Sequence, residues 1–222
     1  MAKKAMVLLS SGLDSTVNLY WACQEFDLVS TVTFDYGQKA VRQEVYHAQL
    51  LAEKLKTSHE VIDIRWLGKV SSSGLTDSSM QVPTGPEVDI DSREQSMKTA
   101  AAVWVPNRNG VFLNIAASLA ESQGARWVIP GFNREEAATF PDNTVDFIDA
   151  TNKALEYSTN NRVQVKCFTA DLDKTEIVRV GVELGVDFSL VWPCYYDKAE
   201  ICRECESCQR FLRAMKAAGV AG

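Results

Sequence analysis

Ala5-Met6-Val7-Leu8-Leu9-Ser10-Ser11-Gly12-Leu13-Asp14-Ser15-Thr16 runs five apolar residues into a turn of small and hydroxyl-bearing ones, and an amphipathic segment follows at once. A strand that breaks into such a turn and then starts a helix leaves backbone N–H groups unpaired at the helix N-terminus. Those groups and the helix dipole form an anion site, and small side chains let a phosphate come close. No lysine of the Walker type ends the turn, which sets it apart from an ordinary P-loop. The plainer alternative is a serine-rich cap on a Rossmann-like helix with no ligand.

Strand character recurs at Val29–Phe34, His59–Ile64, Arg126–Pro130 and Val163–Cys167, after Met6–Leu9. Helix-length segments lie between. Over Gln38–Lys56 the residues Val41, Val45, Ala48, Ala52 and Leu55 share one helical face. Phe112, Ile115, Ala116 and Leu119 repeat the pattern, as do Ile177, Val180, Gly181 and Leu184. Asp173-Lys174-Thr175-Glu176 reads as an N-cap with a glutamate at the third helical position. Strand–helix alternation predicts an α/β fold, a doubly wound parallel sheet of Rossmann-like type with right-handed crossovers. Only Val70–Ala102, rich in Ser, Thr, Gly, Asp and Pro, breaks the rhythm. Two readings compete for it, a lid over the active site and a mobile surface insertion.

The 222 residues suffice for one α/β domain with an appendage, and 46% hydrophobic with 23% charged residues is a globular composition. A net charge of −6 disfavours broad binding to nucleic acid or anionic membrane. The apolar run after Met1-Ala2-Lys3-Lys4 is too short for a signal peptide, and no stretch reaches the ~20 apolar residues of a membrane span. A cytoplasmic protein is the expectation.

Six cysteines in a reducing compartment should be thiols or metal ligands. Cys23 and Cys167 stand alone and read as inert core residues. Cys194, Cys202, Cys205 and Cys208 supply four thiolates within fifteen positions, the complement of a closed structural zinc site. Sets of four thiolates also hold iron–sulfur clusters, and a Cys-x-x-Cys redox pair is a third reading that leaves two thiols unexplained. Four ligands fill zinc's coordination sphere, so the metal is expected to be structural.

Open parallel sheets bind ligands at the carboxyl ends of their strands. Ser10–Thr16 follows the first strand, Thr33-Phe34-Asp35-Tyr36-Gly37-Gln38 the second and Gly131-Phe132-Asn133 the fourth. Pro106-Asn107-Arg108-Asn109-Gly110 opens the Phe112 helix and joins them if that end points the same way.

The front loop resembles the S-G-G-x-D-S loop of PP-loop ATP pyrophosphatases, with Ser11 where those enzymes usually carry Gly. Together with the cysteine tail it resembles the 7-cyano-7-deazaguanine synthase family of the queuosine pathway. Val105-Pro106-Asn107-Arg108-Asn109, Phe140-Pro141-Asp142, Lys174-Thr175-Glu176-Ile177 and Trp192-Pro193-Cys194-Tyr195 add to the likeness, which spans nearly the whole chain. Arg134-Glu135-Glu136-Ala137-Ala138-Thr139 departs from a segment usually like Asp-x-Ser-Gly-Tyr, and Pro193 stands where a small hydroxyl residue is common. The chain then divides into a PP-loop nucleotide-binding domain over 1–190, within which 70–102 is a lid or a surface insertion, and a zinc-binding segment with a C-terminal helix over 191–222.

The resemblance implies an ATP-dependent ligase that converts 7-carboxy-7-deazaguanine and ammonia to the nitrile through an adenylated carboxylate and an amide. ATP with Mg²⁺ would contact Leu9, Ser10, Ser11, Gly12, Leu13, Asp14, Ser15, Thr16, Val17, Asn18 and Leu19. Catalysis would fall to Asp14, Ser15, Arg108 and Lys174. Asp14 is a candidate magnesium ligand or a helix cap, Arg108 an anion fork or a surface salt bridge, and Lys174 a phosphate partner or a solvated lysine. Ser11, in place of Gly, could crowd or hydrogen-bond a phosphate. The deazapurine would be read by Asp35, Gln38, Asn107, Arg108, Asn133, Phe140 and Asp142. A homodimer without direct contact to nucleic acid is the expected assembly. The rivals are another PP-loop adenylating enzyme and a non-catalytic zinc-ribbon binding module.

Overall fold

The computed structural model describes residues 3–220; Met1, Ala2, Ala221 and Gly222, which fall inside the expected domain bounds, lie outside the described residues. The chain forms β1 (Lys4–Leu8), α1 (Leu13–Glu25), β2 (Asp27–Asp35), α2 (Val41–Lys54), β3 (His59–Asp63), α3 (Trp66–Lys69), α4 (Arg93–Val103) and α5 (Arg108–Ser122). It continues with β4 (Trp127–Ile129), α6 (Arg134–Ala137), α7 (Val145–Ser158), β5 (Gln164–Val165), α8 (Lys174–Glu183) and α9 (Glu206–Ala217).

The five strands make one parallel sheet in the order β3-β2-β1-β4-β5. The chain therefore winds outward from β1 to β3, then returns to the other side of β1 for β4 and β5. The crevice where winding reverses lies at the carboxyl ends of β1 and β4, the place where such sheets bind ligands. All five expected strands are present. β5 is shorter than the expected Val163–Cys167 segment, although Lys166 N still donates to Val128 O at 3.0 Å.

Both faces of the sheet are covered, and the pleat sorts one strand between them. Ala5, Val7 and Leu9 join a cluster with Val17 and Leu19 of α1, Leu51 of α2 and Ile177 of α8. Met6 joins the opposite cluster with Leu113 and Ala117 of α5 and Leu155 of α7. In α5 the deepest residues are Leu113, Ala116, Ala117 and Ala120, while Phe112, Ile115 and Leu119 flank them. The expected stripe is thus rotated toward the small residues, which let the helix lie close to the sheet. Helix α8 begins with the expected box, Asp173 accepting from Glu176 N and Glu176 from Asp173 N. Cys23 is exposed on α1, a correction to the reading of it as a core residue.

The cysteine tail does not hang free of this body. Phe211, Ala214 and Met215 of α9 are buried in the same cluster as α1 and α8. At roughly 1.5–3 kcal/mol for each large apolar side chain, that packing is comparable to the stability of a domain. Residues 70–102 are likewise pinned: Thr84 pairs with Cys205 as an isolated bridge, Gly85 N donates to Glu204 O at 3.1 Å, and Arg213 meets Asp91 at 3.0 Å. Among the described residues no helix is long and apolar enough to cross a membrane.

Candidate active site and metal centre

The first turn of α1 has no side-chain cap. Gly12 occupies the N-cap, and the first hydrogen bond back to it comes from Thr16 N at 3.0 Å. The N–H groups of Leu13, Asp14 and Ser15 therefore have no intrahelical partners. Ser11 adopts φ +58°, a left-handed conformation that costs a non-glycine residue on the order of 1–2 kcal/mol. Its hydroxyl donates to Ser10 O at 2.6 Å and its carbonyl accepts from Trp192 N at 2.8 Å. The hydroxymethyl group is thus turned into the backbone, away from any phosphate. Gly131 crosses the turn so closely that an added Cβ would lie 2.5 Å from Ser15 N.

These elements wall a cavity of about 250 Å³. Ser10, Gly12, Leu13, Asp14 and Ser15 form one side; Phe34 of β2 and Tyr36 and Gln38 just beyond it form another; Arg108 opens α5. Phe140 and Asp142 lie after α6, Lys174 opens α8, and Trp192, Tyr195 and Arg210 come from the tail. Trp104 and Phe140 stack with centroids 6.1 Å apart at the cavity wall.

Its charged centre is a triad. Lys174 Nζ lies 2.6 Å from Asp14 Oδ2 and 2.8 Å from Glu136 Oε1. Burial works against the ammonium charge, but the two carboxylates hold the Lys174 pKa well above its ordinary value. Asn133 Nδ2 donates to the same Asp14 oxygen at 3.2 Å, while Asn133 Oδ1 accepts from Glu136 N and caps α6. Asp14 Oδ1 is buried with no hydrogen-bond partner among the described residues. An orphaned acceptor of this kind costs about 1–3 kcal/mol, and more when charged, unless something fills it. A hard cation such as Mg²⁺ suits an unpaired carboxylate oxygen beside a helix N-terminus open to an anion.

Of the residues expected to touch ATP, Leu9, Ser10, Gly12, Leu13, Asp14 and Ser15 line the cavity. Ser11, Thr16, Val17, Asn18 and Leu19 lie behind it. Val17 and Leu19 are core, and Asn18 donates to Asp14 O and accepts from Phe168 N, each at 2.9 Å. Of the expected substrate residues, Gln38, Arg108, Phe140 and Asp142 line the cavity. Phe34 and Tyr36 point in, so the pleat turns Asp35 away, where it accepts from Gly37 N at 3.0 Å. Asn107 is exposed at the cap of α5, and Asn133 is consumed by Asp14 and α6.

Several cavity residues escaped the sequence reading. Tyr36 receives Arg108 Nη1 at 3.4 Å, with the guanidinium 5.8 Å above its ring. Glu135 takes Arg210 at 3.0 Å and Arg213 at 2.9 Å, tying the departing segment to α9. Glu44 had a legible signal: it sits three residues after Val41 and four before Ala48, a charge set on the apolar stripe of α2.

The four tail sulfurs all lie within 4.8 Å of one another, and Cys194, Cys205 and Cys208 are buried. Cys202 Sγ and Cys208 Sγ are 3.9 Å apart, close to the ~3.8 Å edge of a tetrahedron built on ~2.3 Å Zn–S bonds. Backbone N–H groups of Tyr196 and Cys202 point at Cys194 Sγ, and that of Cys205 at Cys202 Sγ. Donors aimed at sulfur favour thiolates, which is the form a metal binds. The residues fit a metal ion.

A family model described as queuosine biosynthesis protein QueC matches residues 4–219. A 7-cyano-7-deazaguanine synthase of Bdellovibrio bacteriovorus is 49% identical over 98% of this chain and 95% of its own length. That of Pelotomaculum thermopropionicum is 48% identical over 98% of both. Among solved structures, a 4-thiouridine synthetase–RNA complex with bound ATP is 17% identical at a TM-score of 0.52, covering 98% of this chain and 50% of that one; the likeness is one of fold.

Proposed function

The chain belongs to the queuosine biosynthesis protein QueC family, and we propose on that footing that it is an ATP-dependent ligase making 7-cyano-7-deazaguanine from 7-carboxy-7-deazaguanine and ammonia. The observation that carries the reading is Asp14: a buried carboxylate with one oxygen on Lys174 and the other unpartnered, beside an uncapped helix N-terminus.

The reaction must bring two anions together, a triphosphate and a carboxylate. Open N–H groups of the α1 turn hold phosphate, with Ser10 and Ser15 hydroxyls beside them. Asp14 would hold the magnesium that accompanies ATP, and the ion would neutralise phosphate charge. Lys174 and Arg108 supply fixed positive charge where the acid attacks the α-phosphate, and their preorganisation spares reorganisation during reaction. Pyrophosphate leaves, and ammonia then displaces AMP to give the amide. A second activation dehydrates the amide to the nitrile. The flat wall of Trp104 and Phe140 suits a purine-like ring, with Asp142 near its hydrogen-bonding edge, while the Gln38 amide is taken by Phe34, Tyr36 and Glu44.

Cys194, Cys202, Cys205 and Cys208 hold one structural zinc ion; no ligand position remains for a water. Residues 1–190 act as the nucleotide-binding body, 191–222 as the metal-bound segment, and 70–102 as a cover over the cavity. Leu75 at the cavity rim and the cluster of Leu75, Val82 and Val103 support that last role. The net charge of −6 supports small-molecule partners rather than nucleic acid. The family resemblance supports a cytoplasmic homodimer.

Metal-loaded protein incubated with ATP, ammonium and 7-carboxy-7-deazaguanine should release AMP and pyrophosphate and form the nitrile. Folded, metal-loaded protein that forms neither AMP nor nitrile overturns the assignment.

A further inference from the structure

Ammonia is almost entirely ammonium at neutral pH, and ammonium has no lone pair with which to attack an acyl adenylate. A site that uses it needs a proton acceptor, and that acceptor must not be locked in an ion pair. Most carboxylates of the cavity are locked. Asp14 and Glu136 share Lys174, while Glu135 and Glu206 grip Arg210. Asp142 is not in a salt bridge, but it follows Phe140, on the wall that suits a flat heterocycle.

Glu44 is different. It lines the cavity from the first turn of α2, and its hydrogen bond comes from a neutral amide, Gln38 Nε2 to Oε2 at 2.8 Å. Gln38 is itself fixed, its Nε2 donating to Phe34 O at 2.9 Å and its Oε1 accepting from Tyr36 N at 3.0 Å. One carboxylate oxygen is thereby oriented, and the other has no hydrogen-bond partner among the described residues. Resting on the reaction proposed above, we infer that Glu44 is the base that takes a proton from ammonium and releases ammonia against the activated acid.

The step balances without a further reagent. Ammonium gives one proton to Glu44 and becomes ammonia. The nitrogen lone pair forms the C–N bond, the bond from the acyl carbon to AMP oxygen breaks, and AMP leaves with that electron pair. The second proton lost from nitrogen passes to water, as does the one held by Glu44.

The surroundings suit the task. Burial, opposed by the Gln38 hydrogen bond and the charge of Arg108, lifts the Glu44 carboxyl from 4.5 to about 7, with Asp35 adding to the rise. The charged and titratable groups that face it are Arg108 from α5 and Asp35 and Tyr36 from the end of β2. A base of that strength is ionised at working pH yet still takes up a proton, the compromise general-base catalysis favours.

The test separates this step from the one before it. Acid-dependent exchange of pyrophosphate into ATP reads adenylation alone; its absence in the parent protein overturns the reaction itself, independently of Glu44. Given exchange in the parent, Glu44→Gln should keep it within twofold. The same variant should lose amide formation from ammonium by about 100-fold at pH 7. The deficit should shrink as pH rises, because free ammonia then supplies itself. Glu44→Asp, which keeps a carboxylate, should recover part of the rate. Asp142→Asn should instead raise the KM for the acid. Exchange lost along with amide formation in folded Glu44→Gln, a deficit the same at every pH, or amide formation within threefold of the parent each overturns the inference.

Discussion

Lys174 Nζ and Asp14 Oδ2, 160 residues apart in the chain, sit 2.6 Å from each other at the meeting of two helix N-termini. Their side chains are 8% and 12% exposed, so solvent screens the pair little. Breaking a buried pair from one side costs about 3–5 kcal/mol, because the surviving charge stays buried. Lys174→Met should therefore destabilise the protein by that amount as well as abolish adenylation. Here two carboxylates, Asp14 and Glu136, would be left facing each other. Urea unfolding that shows a loss below about 1 kcal/mol would mean the pair is not as dry as its geometry indicates.

Two positions at the α1 turn, one in the front loop and one after β4, should respond in opposite directions. Gly131→Ala pushes a methyl group toward Ser15 N at 2.5 Å, backbone that cannot swing aside. A loss of about 1–3 kcal/mol and weaker ATP binding should follow. Ser11→Gly relieves φ +58° but gives up the 2.6 Å hydrogen bond to Ser10 O and frees the unfolded chain. Its stability should equal or exceed the parent's by up to about 1 kcal/mol. Thermal melts of both variants decide the matter, and a destabilised Ser11→Gly contradicts it.

Cys205→Ser should lose zinc and stability together, since metal binding contributes folding energy. A loss of about 3 kcal/mol corresponds to a melting temperature lower by roughly 6–12 °C in a chain of this size. Treatment of the parent with a chelator should reproduce the drop. Full zinc content in the variant by elemental analysis would remove Cys205 from the ligand set.

Glu44 makes stability depend on pH in a definite sense. Its carboxyl is raised from 4.5 to about 7, so between those values the folded protein binds more protons than the unfolded chain. Stability from this group is present below about pH 4.5 and is lost as pH rises toward 7. Glu44→Gln does not titrate. The melting temperature of the variant minus that of the parent should therefore climb from pH 5 to pH 7.5. A flat difference over that range means the carboxyl is not raised.

The strands were legible because short stretches rich in Val, Ile, Thr and aromatic residues, one continuously apolar at Met6–Leu9 and others alternating as at Val163–Cys167, stood between helix-length segments. Lys174 was legible because the Asp173–Glu176 box marks the start of α8, and Asp14 because the turn of small residues before α1 resembles the PP-loop pattern. What sequence did not disclose depends on side-chain parity and on distance. Asp35 follows a strand into the crevice, but the pleat points Phe34 and Tyr36 inward in its place. Asn133 lies where a substrate reader is expected, yet both ends of its amide are taken by Asp14 and α6. Glu136 and Arg210 reach the site only through the fold, from a short helix and from the tail.

Trp192, Tyr195 and Arg210 give the cavity a wall from the last part of the polypeptide, while Ser10–Ser15 give it one from the first. The cavity is therefore whole only while α9 is docked, so a change that loosens that helix reaches the nucleotide turn without touching it.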